Sequence, residues 1–237
     1  MSNFMSAIFD KSTGWRAAPR RLLPQQCAMC AAACADTLVC RDCDAALPRL
    51  GATCPCCALP TPGGLPCGRC TARPPPFAAT RAVFEYAFPV DRLLHAMKYR
   101  GALAYADYFA GALARNVAIV PDLVVALPLA RARQRERGYN QAQELARRVA
   151  RLIDTPLRCG LVRVRDTATQ ASLPWKERSR NVRQAFAALP VVAGRRIAIV
   201  DDVMTTGATL AAAADTVLRA GATAVEAWVV ARTLRPS

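Results

Sequence analysis

Hydrophobic and polar positions divide the chain into a first part with little periodicity and a second part that alternates between two periods. Residues 1–26 sustain neither a helical nor a strand pattern and read as a flexible basic arm carrying Arg16, Arg20 and Arg21. From Phe77 onward, short apolar runs alternate with amphipathic stretches. Ala82 to Phe88 reads as a strand or hairpin. Asp91 to Tyr99 reads as a helix with Leu93, Leu94 and Met97 on one face, and Leu103 to Val117 as another. Leu123 to Leu127 is a short buried strand closed by Pro128. Tyr139 to Leu152 is a helix with an Arg-studded outer face. Leu157 to Val164 is strand-like, and Arg178 to Phe186 has helical character. Ile197 to Val200 is a fully apolar strand, Thr209 to Arg219 an Ala-rich helix ended by Gly221, and Val225 to Ala231 a last strand. Strands alternating with helices predict an α/β fold with a parallel sheet flanked by helices. In such sheets ligands bind at the carboxyl ends of the strands.

The region before Phe77 is organised by cysteine. Ten of the eleven cysteines lie between Cys27 and Cys70. They fall into Cys27-x-x-Cys30, Cys40-x-x-Cys43, Cys54-x-x-Cys57 and Cys67-x-x-Cys70. A C-x-x-C turn sets two thiolates on one side of a metal, and a second such knuckle completes the tetrahedron. Nine residues separate the knuckles of the first pair and nine those of the second. The segment therefore reads as an internal repeat of two zinc ribbons with two structural Zn²⁺ ions. Cys27, Cys30, Cys40 and Cys43 would hold one ion, and Cys54, Cys57, Cys67 and Cys70 the other. Spacing alone also permits crossed pairing of the knuckles. Cys34 and Cys56 lie outside the register and read as spectators, with Cys56 an alternative to Cys57. Cys159 reads as a small buried apolar residue.

A disulfide scaffold belongs to an oxidising compartment. Met1 to Lys11 includes Asp10 and lacks the apolar stretch of about 7–15 residues that a secretory signal needs. No apolar run reaches the roughly 18 residues of a membrane span. The expectation is a cytoplasmic protein without membrane insertion. The stretch Thr71-Ala72-Arg73-Pro74-Pro75-Pro76 is a stiff, extended linker. The domain plan is then an arm over 1–26, a double zinc ribbon over 27–70, a Pro-rich linker over 71–76 and an α/β domain over 77–237.

The segment from Ile197 to Thr209 carries the most chemical information. An apolar strand delivers Asp201 and Asp202 to its carboxyl end, and Thr205, Thr206, Gly207, Ala208 and Thr209 form a turn that opens a helix. Such a turn offers backbone N–H groups, hydroxyls and a helix N-terminus to one anion. The carboxylates suit vicinal hydroxyls beside that anion. Together they fit a 5-phosphorylated ribose, with the phosphate in the turn and the 2′- and 3′-hydroxyls on the acids. An Asp at a strand end also occurs as a plain helix cap, which accounts for one acid and not for the pair.

Charge sharpens this reading. The chain carries 32 Lys and Arg against 17 Asp and Glu, a net charge of +15. Between Arg131 and Arg183 there are 14 basic and 5 acidic residues. Arg131, Arg133, Arg135 and Arg137 follow the strand end at Pro128, either as a solvated basic loop or as a clamp for phosphate groups. His95, the single histidine, reads as structural. Lys98, Tyr99 and Arg100 face either a nucleotide entry or a nucleic acid, and Asn140 reads as a helix cap.

The strand, acid pair and Thr-rich turn resemble the phosphoribosyl pyrophosphate (PRPP) motif of the type I phosphoribosyltransferases. More of the chain is similar to the ComF family of competence-associated proteins, which join an N-terminal zinc ribbon to a phosphoribosyltransferase domain. The cysteine knuckles match, as do the linker before Phe77, Leu94 to Gly101, Arg135 to Gln141 and Arg165 to Gln170. The resemblance spans about residues 27–232 in the same order. One departure is Ala130-Arg131 after Pro128-Leu129, where many members carry His-Pro; no role resting on that histidine carries over.

The resemblance implies a type I phosphoribosyltransferase-like sheet that binds PRPP with Mg²⁺ at Asp201, Asp202, Thr205, Thr206, Gly207, Ala208 and Thr209. It implies pyrophosphate on Arg131, Arg133 and Arg137. It also implies a flap over Asp166 to Asn181 that excludes water from the reaction, with Gln170, Arg178 and Asn181 as candidate catalytic residues. Within that flap, Trp175 serves either as part of the lid or as a tether to the domain. In function it implies handling of single-stranded DNA in natural transformation, with a competence helicase as a partner. Two roles stay open: an enzyme with an undefined acceptor, or a non-catalytic DNA-binding factor in which PRPP is regulatory or vestigial.

Overall fold

The computed structural model describes residues 25–34, 37–165 and 185–234. They belong to two compact units, one ending at Ala46 and the other beginning at Leu47. In the first, β1 (Gln25–Gln26) and β2 (Ala33–Cys34) pair antiparallel, and α1 (Arg41–Ala45) follows.

The second unit opens with a 3₁₀ turn at Pro62–Gly64 and α2 (Gly68–Ala72). It continues through β3 (Ala79–Glu85), α3 (Val90–Tyr99), α4 (Ala104–Ala114), β4 (Leu123–Ala126), α5 (Arg131–Arg137) and α6 (Gln141–Leu152). Then come β5 (Leu161–Arg163), β6 (Phe186–Ala188), β7 (Arg196–Met204), α7 (Ala208–Arg219) and β8 (Ala224–Arg232). Four strands form one parallel sheet in the order β3-β8-β7-β4. Helices cover both faces, so β7 and β8 are near-continuous apolar runs rather than alternating ones. Ile197, Ala198, Ile199 and Val200 are buried, as are Ala227 to Ala231. Arg148 joins two of the covering helices, bonding Glu144 of α6 at 2.6 Å and Asp107 of α4 at 2.7 Å.

Several elements differ from the sequence reading. The strand placed at Ala82 to Phe88 lies earlier, over Ala79–Glu85, and joins β8 in parallel rather than forming a hairpin. The strand-like run from Leu157 to Val164 is broken. Leu157 bridges Val124 in parallel, whereas Leu161 to Arg163 pair antiparallel with β6. Gly160 lies at the break, where a Cβ would come within 2.8 Å of Val125 and 2.9 Å of Val192. Of the helix placed at Arg178 to Phe186, residues 178–184 lie outside the described residues and Phe186 starts a strand. Cys159 is exposed rather than buried.

The compact division also falls ahead of the second pair of knuckles and not at the Pro-rich stretch 71–76. Backbone pairing supplies the reason. Leu50 N–H donates to Val83 O at 3.1 Å, and Glu85 N–H donates to Pro48 O at 2.8 Å. The Arg49 guanidinium lies 5.0 Å from the centre of the Phe84 ring. Residues 48–50 thus cover the free edge of β3, where its N–H and C=O groups would otherwise lack partners.

Candidate functional site

The cysteines gather as two tetrads, Cys27, Cys30, Cys40 and Cys43, and Cys54, Cys57, Cys67 and Cys70; within each, all four Sγ atoms lie within 4.8 Å of one another. The geometry resolves the pairing that spacing left open: each knuckle joins its neighbour in sequence. Cys34 and Cys56 stay outside both tetrads. Four thiolates at Zn–S distances of about 2.3 Å stand about 3.8 Å apart at the corners of a tetrahedron. Cys30 and Cys40 are 3.8 Å apart, and Cys57 and Cys67 3.7 Å. Each tetrad therefore fits a tetrahedral ion of that size.

The repeat extends to the backbone. Ala31 and Ala58, one residue after each first knuckle, both adopt positive φ, at 60° and 55°. Cys40 N–H donates to Cys27 Sγ at 3.3 Å, and Cys67 N–H donates to Cys54 Sγ at 3.3 Å. Burial works against the Cys27 thiolate, but N–H donors of Cys40, Cys30 and Met29 prevail and lower its pKa from 9.0 to about 6. Cys54 behaves alike, with burial opposed by donors from Cys67, Cys57 and Cys56 and a pKa of about 6. Backbone N–H groups thus prepare a thiolate for metal in each ribbon.

The second tetrad is docked on the sheet through three consecutive carbonyls. Thr80 N–H donates to Pro55 O at 2.9 Å, and Thr80 Oγ1 to Cys56 O at 2.6 Å. Arg232 Nε donates to Cys57 O at 2.8 Å.

At the carboxyl edge of the sheet, β7 runs to Met204, so Asp201 and Asp202 are still strand residues and the turn begins at Thr205. Asp202 is only 4% exposed. Its Oδ1 accepts the Val203 N–H at 2.8 Å, and its Oδ2 lies 2.5 Å from Nζ of Lys98, on the last turn of α3. Asp201 is half-buried and accepts the Asp202 N–H at 2.9 Å. Burial, then the charge of Asp202, push its carboxyl well above the usual range, against the pull of Lys98. Gly207 holds φ at 81° ahead of α7, a conformation closed to most side chains. Thr206 Oγ1 accepts the Ala208 N–H at 3.2 Å. These torsions present the amino end of α7 to solvent with its hydroxyls beside it.

The run Arg131–Arg137, expected as a loop, is a short helix that buries no side chain and ends at Gly138 with φ at 78°. Helical spacing puts Arg133 and Arg137 on one side, one turn apart. Arg137 Nη1 donates to Gln141 at 2.8 Å and Nη2 to the Tyr99 hydroxyl at 3.0 Å, with the guanidinium 4.7 Å from the centre of the Tyr99 ring. His95, exposed and one turn earlier in α3, packs with its ring 4.5 Å from that of Tyr99. Asn140 caps α6 by accepting the Ala142 N–H at 3.0 Å. Gln170, Arg178 and Asn181 lie outside the described residues.

The sequence reading missed two charged residues. Lys98, read from sequence as facing either a nucleotide entry or a nucleic acid, lies on Asp202 instead. Arg232 was not singled out, although a lone cation in an apolar strand is itself a signal. It is 2% exposed, and besides Cys57 it donates through Nη1 to the carbonyls of Met204 at 2.9 Å, Thr205, and Thr233 at 2.9 Å.

Comparison with known proteins agrees with this architecture. Residues 108–236 match the phosphoribosyl transferase domain. The chain is 37% identical over 210 residues to DNA utilization protein YhgH of Escherichia coli, covering 83% of this chain and 91% of that protein. It is 32% identical over 179 residues to competence protein F of Haemophilus influenzae, covering 70% and 78%. It is 28% identical over 197 residues to competence protein ComFC of Bacillus subtilis, covering 78% and 80%.

Proposed function

The chain belongs to the phosphoribosyl transferase domain family, among the competence F and DNA utilization proteins, and on that premise we propose that it binds Mg²⁺–PRPP and serves the uptake or use of DNA in the cytoplasm. The observation that carries the reading is the acid pair leading directly into an N–H-rich turn at the carboxyl edge of a parallel sheet. In this reading the 5-phosphate lies against Thr205 to Thr209, and the ribose hydroxyls donate to Asp201 and Asp202. Arg131, Arg133 and Arg137 take the diphosphate, to which Mg²⁺ is bound. Structural Zn²⁺ occupies both cysteine tetrads.

In the enzymatic form, an acceptor nucleophile bonds to C1 of the ribose as the bond from C1 to the diphosphate oxygen breaks. The electron pair leaves with pyrophosphate. The protein then acts by positioning and by placing positive charge where negative charge develops. The relatives' names support a DNA role, and a basic surface with single-stranded DNA as ligand agrees with the charge excess. Among the described residues no helix is long and apolar enough to cross a membrane.

The test is calorimetry of Mg²⁺–PRPP with wild type, Asp201→Ala and Asp202→Ala, followed by an assay of pyrophosphate release with a panel of bases, amines and single-stranded oligonucleotides. Each acid variant is expected to weaken binding by about 1–3 kcal/mol. Equal affinity in wild type and the double variant would refute the site. Binding without release for any acceptor would assign PRPP a regulatory role.

A further inference from the structure

Arg232 is an unusual residue to bury. It closes β8, is 2% exposed, and all four acceptors described above are backbone carbonyls. One of them, Cys57 O, belongs to a knuckle of the second cysteine tetrad. Two others, Met204 O and Thr205 O, belong to the exit of β7 into the turn. The planar guanidinium has donors on more than one edge, so a single side chain reaches both.

The consequence for the turn follows from peptide geometry. In a trans peptide the C=O and the following N–H point to opposite sides. Holding the carbonyls of Met204 and Thr205 toward Arg232 turns the N–H groups of Thr205 and Thr206 the other way. Successive N–H groups aligned on one side make a concavity for an anion. Gly207, at φ 81°, continues the turn into the amino end of α7.

The consequence for the tetrad is electrostatic. A divalent ion with four thiolates is a dianion, and Arg232 places a cation beside it.

We propose that Arg232 is a positioning residue for the anion-binding turn, and that it couples this turn to the metal held by Cys54, Cys57, Cys67 and Cys70. The inference rests on the reading that the turn receives the phosphate of PRPP. Coupling between two sites is reciprocal: if the metal improves ligand affinity, the ligand must retain the metal by the same factor. Lys at this position keeps the charge but, as a single ammonium, cannot span the Cys57 carbonyl and the turn carbonyls together.

The experiment uses the full chain with zinc bound. Zinc affinity is measured by equilibrium competition with a chromogenic chelator, with and without saturating Mg²⁺–PRPP, and PRPP affinity by calorimetry. In wild type, PRPP is expected to raise the equilibrium affinity for one of two zinc equivalents at least five-fold. In Arg232→Lys, PRPP affinity is expected to fall about ten-fold and the gain in zinc affinity to disappear, with far-UV circular dichroism unchanged. Arg232→Met is expected to do the same with a lower melting temperature. PRPP that binds wild type yet leaves both zinc affinities unchanged overturns the coupling without any variant. Arg232→Lys with wild-type affinity overturns the positioning role. No PRPP binding by wild type, with zinc present, overturns the site reading on which both depend.

Discussion

Nζ of Lys98 and Oδ2 of Asp202 stand 2.5 Å apart, their side chains 17% and 6% exposed, joining the last turn of α3 to the strand that delivers the acid pair. Removing one partner of a largely buried pair leaves the other charge without compensation. Lys98→Met is expected to destabilise the fold by on the order of 3 kcal/mol. Asp202→Asn added to it should recover most of that loss. Urea denaturation of the two single variants and the double variant gives the coupling directly.

Asp201 makes a prediction in pH. Its carboxyl is held well above the ordinary value of 3.8, so the folded state binds this proton more tightly than the unfolded chain. The stability this group contributes is present in full below the unfolded value and is lost as pH rises toward the folded one. Asp201→Asn should therefore stabilise the ligand-free protein at about pH 7 and give no gain below about pH 4, while weakening PRPP binding. Thermal melts across pH test it; a gain independent of pH would contradict the electrostatic origin.

The two tetrads predict two zinc ions per chain by elemental analysis, and different results when each is broken. Cys70→Ser releases the ribbon whose three carbonyls are held by Thr80 and Arg232. At about 1 kcal/mol per bond, the α/β unit should melt roughly 5–10 °C lower. Cys43→Ser lies in the unit that ends at Ala46, and the melt of the α/β unit should shift by less than half that amount. Equal shifts would mean that docking of the second ribbon contributes nothing to the sheet.

DNA binding, if carried by the basic surface, must depend on salt. Each phosphate contacted on a single strand contributes a slope of about −0.7 in log K against log salt. Replacing Arg133 and Arg135 by Gln should flatten that slope by about 1.4 when both engage phosphate. Fluorescence anisotropy with a labelled oligonucleotide measures this. An unchanged slope would place the DNA on another surface, and relief of binding by Mg²⁺–PRPP would place it on the diphosphate side of the site.

What could be read from sequence was local. β7 and β8 were legible because strands covered on both faces are continuous apolar runs. The acid pair and its turn were legible because their chemistry lies within adjacent residues. The cysteine tetrads were legible with their pairing, each knuckle with its near neighbour, while the crossed pairing that spacing also permits was excluded only by the fold. The helix Arg131–Arg137 was missed because it buries nothing and so has no apolar period; its helix-forming residues and Gly138 were the available signals. Lys98 and Arg232 were missed because they act across the fold. Arg232 and Cys57 are 175 residues apart in the chain and meet only once the sheet is built.

That sheet also sets an order of completion. β8 is the neighbour of both β3 and β7, although β3 is made long before it. A chain emerging from the ribosome can close its second cysteine tetrad early, using residues 54–70 alone. It cannot join β3 to β7, or bring a guanidinium to the turn, until residue 232 has emerged. A fragment truncated before β8 is therefore expected to capture zinc at its second tetrad without binding PRPP.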